Sequence, residues 1–156
     1  MGSKEDRYFE DYVVGATREV GTVTLSEDEM IAFARNYDPQ EFHTDPEKAA
    51  TSAFGGLIAS GWHTAAAVMR PLAENYLSGA SSLGSPGLDE LRWLAPVRPG
   101  DVLTIYATVV EARRSSSKPD RGLVHSDIRV VNQDGVAVMT IKPINVVACR
   151  STERGT

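Results

Sequence analysis

What most constrains this chain is a change of period near Gly87. Downstream, apolar residues recur at every second position, the spacing of strands with one buried face. Val102 to Arg114 is rich in Val, Ile, Thr and Tyr, Leu123 to Val131 alternates, and Val136 to Val147 is β-branched. Asp134-Gly135 lies between the last two and signals a hairpin, since both residues tolerate the positive φ of a tight turn. Upstream the period is helical. Trp62, Ala65, Ala66, Met69, Leu72, Ala73 and Tyr76 form one apolar stripe, predicting a helix over about 61–77 with Arg70 and Glu74 opposite. Ala67 and Val68 widen the apolar surface, so protein should surround most of this helix, and Pro71 should kink it. Long antiparallel strands with one well-covered helix make an α+β domain whose sheet wraps on that helix. One short helix covers only part of such a sheet, so pairing with a second copy is expected.

Other features bound the function. Sixteen basic and 21 acidic residues give a net charge of −5, against the basic face of a dedicated nucleic-acid binder. The single cysteine, Cys149, rules out an intrachain disulfide or a CxxC site and has no partner motif for catalysis. The start of the chain lacks the apolar stretch of a signal peptide. Ala49 to Met69 is free of Asp, Glu, Lys and Arg but is dominated by small and polar residues, so no membrane span is expected. These features predict one cytoplasmic domain over 1–156, its core at about 12–147 and its ends frayed at Met1 to Asp6 and Ser151 to Thr156. Ser78 to Gly87 and Ser115 to Gly122 read as loops.

Ser26 with Glu29 forms a capping box ahead of Met30 and Ile31, predicting a helix over about 27–35. Tyr37-Asp38-Pro39 ends it, and Asp45-Pro46 opens a short helix through Ala50. Between them should lie an irregular loop that sets Asp38 and His43 five positions apart. Imidazole titrates near neutral pH, and a carboxylate held near it can share a water molecule with it. The same spacing also fits Asp38 capping a turn and His43 as a hydrogen-bonded structural residue.

Asp38, His43, Asp45, Pro46, Ala49 and Ala50 match a signature of the MaoC-like dehydratases, the family of the (R)-specific enoyl-CoA hydratases. Ile58-Ala59-Ser60-Gly61 resembles that family's start of the central helix, and Leu91 to Asp101 its next strand and turn. The resemblance covers about 12–147 and implies a hot-dog fold and a homodimer or higher homo-oligomer. It also implies reversible hydration of a trans-2-enoyl-CoA in fatty acid metabolism, with coenzyme A as part of the substrate and no cofactor or metal. In that reading Asp38 and His43 activate the water, and the Gly61 N–H at a helix N-terminus holds the thioester oxygen. Gly61 could instead serve only to start the helix beneath a strand. Two departures stand out. Pro39-Gln40-Glu41-Phe42 replaces the family's Asn-Pro segment, and Met69 stands where some members carry a serine near the aspartate, a contact that Ser60 or Thr64 could replace.

Phe42 is a candidate for the acyl pocket, as are Ser60 and His63, while Trp62 and Phe54 read as packing residues. His63 could also complete a metal site with Asp38 and His43, but no repeated ligand motif supports one. Arg113, Lys118 and Arg121, with Arg114, suit the phosphates of coenzyme A or form a solvated hairpin tip; Arg92 and Arg98 are similar cases. Two alternatives stay open: a noncatalytic hot-dog module that binds acyl thioesters, and a hot-dog acyl-CoA thioesterase.

Overall fold

The computed structural model describes residues 5–151. Its strands are β1 (Thr17–Thr24), β2 (Gly87–Trp93), β3 (Val102–Arg114), β4 (Arg121–Val131) and β5 (Ala137–Ala148). They form one antiparallel sheet in the order β1-β3-β4-β5-β2. Between β1 and β2 the chain runs through α1 (Glu27–Tyr37), α2 (Glu41–Thr44), α3 (Pro46–Ala50) and α4 (Gly61–Asn75). This α+β architecture, a long helix held against one curled antiparallel sheet, is the hot-dog fold.

The period-two pattern sets which strand face is inward. Leu103, Ile105 and Ala107 on β3 and Val124, Ile128 and Val130 on β4 are buried and join one core with Val68 and Leu72 of α4. Gly135 adopts φ +75 in the β4–β5 turn, as the Asp-Gly pair predicts.

The structure corrects several boundaries. α1 runs two residues beyond expectation, because the pre-proline restriction falls on Asp38 (φ −153, ψ 69) and leaves Tyr37 helical. The expected loop contains the one-turn helix α2, closed by His43 N–H on the Gln40 carbonyl at 2.9 Å and Asp45 N–H on Glu41 at 2.9 Å. α4 ends at Asn75 with Tyr76 as its C-cap. Expected fraying falls partly on residues 1–4 and 152–156, outside the described residues; where described, the ends are tied down. Asp6 accepts from Ser78 Oγ at 3.2 Å, and Ser151 N–H reaches Glu10.

α4 is rolled from the predicted stripe. Thr64, Val68, Pro71 and Leu72 are buried, whereas Trp62 is 59% exposed and Met69 46%, so protein covers only one side of the helix. Small and apolar residues occupy both rows, so periodicity could not choose between them. Close approach to β1 does: a Cβ on Gly21 would sit 3.2 Å from Pro71 Cβ, and Asn75 Nδ2 donates to the Val20 carbonyl at 2.8 Å. No helix among the described residues is long and apolar enough to cross a membrane.

Candidate active site

Asp38 leaves α1 just where Pro39 forces the chain out of the helix, and both its oxygens are engaged. Gln40 Nε2 donates to Oδ1 at 2.7 Å, and Ser60 Oγ donates to Oδ2 at 2.7 Å. His43 Nε2 stands 3.3 Å from the same Oδ2. Burial acts to raise the Asp38 pKa, but hydrogen bonds from Gln40 and Ser60 and the charge of His43 outweigh it. The result lies below the usual carboxylate range. Asp38 is therefore a carboxylate at neutral pH.

His43 is buried, and its Nδ1 lies 2.8 Å from the Ile58 carbonyl. A carbonyl only accepts, which assigns a proton to Nδ1 and makes Nε2 the nitrogen that exchanges a proton. Nε2 faces the Asp38 carboxylate, so a water molecule placed here meets both groups, which suits the pair to acid–base work on water.

A cavity of about 390 Å³ opens beside His43, walled by Phe42, Phe54, Ile58, Thr64, Trp93 and Val97. The start of α4 also reaches it, through Gly61. The Gly61 and Trp62 N–H groups have no intrahelical acceptor by position, and the first turn carries no acidic residue. A Cβ on Gly61 would lie 2.3 Å from Trp93 Cε2, so glycine is needed for the ring of Trp93 to pack there. Gly61 thus packs beneath β2 and also lines the cavity.

Of the residues singled out from sequence, the fold brings together Asp38, His43, Phe42, Ser60 and Gly61. Phe42 lines the cavity and meets the His43 ring edge-on at 4.5 Å. Ser60 is fully buried and bonded to Asp38 instead of lining the cavity, which corrects its placement among substrate contacts. His63 is corrected as well. Its ring stacks on Phe33 of α1 at 4.5 Å, away from the cavity lining, with Nδ1 lacking a hydrogen-bond partner and its pKa lowered by burial. Trp62 is exposed and packs edge-on against Trp93 at 5.0 Å, and Phe54 is a cavity wall, so neither is core packing.

Arg113, Lys118 and Arg121 line a separate cleft of about 420 Å³ that also includes Val146. Val138 of β5 lines the first cavity, and at about 3.3 Å per residue it lies roughly 26 Å along the strand from Val146 of the second. The basic loop therefore does not adjoin the cavity of its own chain. Arg121 is also paired with Asp120 at 2.9 Å.

Sequence reasoning missed three contributors. Gln40 could have been found from its place inside the Asp38–His43 spacing. Trp93 arrives from β2, far along the chain, and carried no local signal. Arg98, grouped by sequence with the phosphate candidates, has a guanidinium that donates to the Phe54 and Gly56 carbonyls and fixes the loop that carries the Phe54 wall.

Comparison with known proteins matches residues 12–129 to the MaoC like domain. The chain belongs to this family. A MaoC-like dehydratase from Rhodospirillum rubrum shares 39% identity at a TM-score of 0.85, covering 93% of this chain and 99% of that one. The R-hydratase PhaJ1 from Pseudomonas aeruginosa shares 28% at a TM-score of 0.73, covering 92% and 86%. The 3-hydroxyacyl-thioester dehydratase Z of Mycobacterium tuberculosis is 33% identical over 105 residues, 64% of this chain and 70% of that protein. The MaoC-like family thus includes hydratases and dehydratases that share this fold.

Proposed function

We propose that this protein reversibly hydrates a trans-2-enoyl-CoA to the 3-hydroxyacyl-CoA. The observation that carries the proposal is the Asp38–His43 pair, 3.3 Å apart, beside a cavity that also takes in Gly61 at the start of α4. His43 Nε2 and Asp38 Oδ2 hold a water molecule. Its oxygen forms a bond to the β-carbon while one proton passes to the pair, the C–C π electrons move toward the thioester, and a proton is returned to the α-carbon. The thioester oxygen gains negative charge as this happens, and the N–H of Gly61 at the start of α4 receives it. The apolar walls from Phe42, Phe54 and Val97 suit an acyl chain and keep bulk water from the reacting carbons.

A second copy of the chain completes this picture. The exposed row of α4 and the unpaired edge of β2, with Leu88 51% and Trp93 44% exposed, are apolar surface that a homodimer would cover.

The test is purified protein with crotonyl-CoA, following loss of the conjugated enoyl-thioester absorbance while free thiol is monitored. Absorbance should fall without thiol release, and Asp38→Asn should lower the rate by about 10²- to 10⁴-fold, the range of a lost acid–base group. Thiol release would point to a thioesterase instead. Binding without turnover, across longer and branched enoyl-CoAs as well, would mark an acyl-thioester binding module.

A further inference from the structure

Ser60 occupies the N-cap of α4, where serine normally accepts a hydrogen bond from an N–H of the first helical turn. Here it makes no such bond. Its hydroxyl, with no solvent exposure, donates instead to Asp38 Oδ2 at 2.7 Å, across 22 residues of sequence. That oxygen is also the one facing His43 Nε2. Meanwhile the Ser60 carbonyl accepts from the N–H groups of His63 at 2.9 Å and Thr64 at 3.1 Å, so the helix starts without its side-chain cap. The donors left over are those of Gly61 and Trp62, and Gly61 is on the cavity wall.

We propose that Ser60 is a positioning residue for the hydration reaction: by donating to Asp38 instead of capping α4, one hydroxyl fixes the carboxylate and leaves the helix N-terminus open to the substrate oxygen. Two consequences follow from one rotamer. A serine hydroxyl has a single proton, so donating to Asp38 fixes its direction and aligns Oδ2 with His43. Ser60 is bonded directly to Gly61, so the same contact ties the water-activating carboxylate to the first N–H of α4. The fold thereby registers the two halves of the site, on α1 and α4, by one buried hydrogen bond. It also accounts for Met69, which stands where some relatives have a serine near the aspartate: here the polar contact comes from the residue before the helix.

This inference rests on the hydratase reading, and its test separates the two. Ser60→Ala and Ser60→Cys, the latter of nearly the same volume but a weak donor, are compared with wild type and with Ser60→Thr, which keeps the hydroxyl. In crotonyl-CoA hydration, Ser60→Ala should lower kcat about tenfold with KM changed less than about twofold, as befits a lost hydrogen bond to a charged group. The acid limb of its pH–rate profile should move upward, because a donor that favours the ionised carboxylate is gone. His43 is the titratable side chain facing Asp38, while Gln40 and Ser60 are uncharged donors, so the limb belongs to the Asp38–His43 pair and a direct titration of the carboxyl assigns the shift. Ser60→Cys should fall between, and Ser60→Thr should restore both rate and limb. Independently of turnover, carbon-13 NMR titration of the Asp38 carboxyl, assigned with Asp38→Asn, should show a raised pKa in Ser60→Ala. An unmoved Asp38 titration, or an active Ser60→Ala protein with wild-type kcat and acid limb, overturns the inference while leaving hydration intact. If wild type hydrates no enoyl-CoA, the functional reading falls, and the NMR titration still decides whether Ser60 controls Asp38.

Discussion

Two helices of this protein begin with a serine, and they use it in opposite ways. At α1, Ser26 Oγ accepts the Glu29 N–H at 3.1 Å, and Glu27, Asp28 and Glu29 place three carboxylates in the first turn. Every preference of a helix N-terminus is met: a capped donor and negative charge on the positive end of the dipole. At α4, Ser60 gives its hydroxyl to Asp38 and the first turn carries no acid. The same residue at the same position stabilises a helix in one place and withholds that stabilisation in the other. The withheld end faces a cavity, which is where an unsatisfied dipole is useful. Marginal local stability at a site is the expected signature of function.

The largest break in this comparison should come from Gly61→Ala. The added methyl meets the Trp93 ring at 2.3 Å, so either the indole or the start of α4 must move. Overpacking of this kind costs about 1–3 kcal/mol. A lower Tm together with a reduced hydration rate is expected; an alanine variant with unchanged Tm and rate would remove the Trp93 contact from the account.

Ser26→Ala should be next, and of a different kind. Loss of a true cap costs about 1 kcal/mol of stability, measurable by urea unfolding, with hydration kinetics unchanged because α1's start lies away from the cavity lining. Placing charge on the open end gives a third contrast. Trp62→Glu, compared with Trp62→Gln, should slow hydration about two- to fivefold, since a first-turn carboxylate interacts with the helix dipole by about 0.3–1 kcal/mol and opposes the developing oxyanion. Equal rates in the two variants would argue against an oxygen held at this terminus.

Much of this was legible in the sequence and some was not, for definite reasons. The β3–β5 strands follow from side chains that alternate along each strand, and the Ser26 cap from its distance to Glu29, because those signals are local. The Asp38–His43 pair was visible for the same reason. The roll of α4 was not, because Ala66, Met69 and Ala73 on one row are as apolar as Val68 and Leu72 on the other. The choice is made by Gly21 and Asn75, residues far apart in the chain. The resemblance offers Ser60 or Thr64 for a polar contact near the aspartate, and only the fold chooses between them, with the Ser60 hydroxyl bonded to a carboxylate 22 positions earlier. Long-range contacts to side chains of ambiguous type are what periodicity does not carry.

The smallest effect should come from the basic loop, and it sharpens the contrast between a built site and a charged surface. His43 is buried and Asp38 partly so, and Asp38 is held by hydrogen bonds from Gln40 and Ser60 beside His43, so removing either changes an interaction built into the fold. Lys118 is exposed, and Arg121 already has Asp120 as a neighbour at 2.9 Å. Charges of this kind contribute about 0–1 kcal/mol and are screened by salt. Lys118→Ala combined with Arg121→Ala should therefore raise KM for an enoyl-CoA by no more than about threefold at low salt. The change should vanish at about 0.5 M salt, where the Debye length falls to a few ångströms, and kcat should be untouched. The pantetheine thioester of the same acyl group, lacking the nucleotide phosphates, should show no difference between variant and wild type. A tenfold or larger rise specific to the coenzyme A substrate would instead make this loop part of a site assembled across two subunits, because the cavity of its own chain lies roughly 26 Å away along β5.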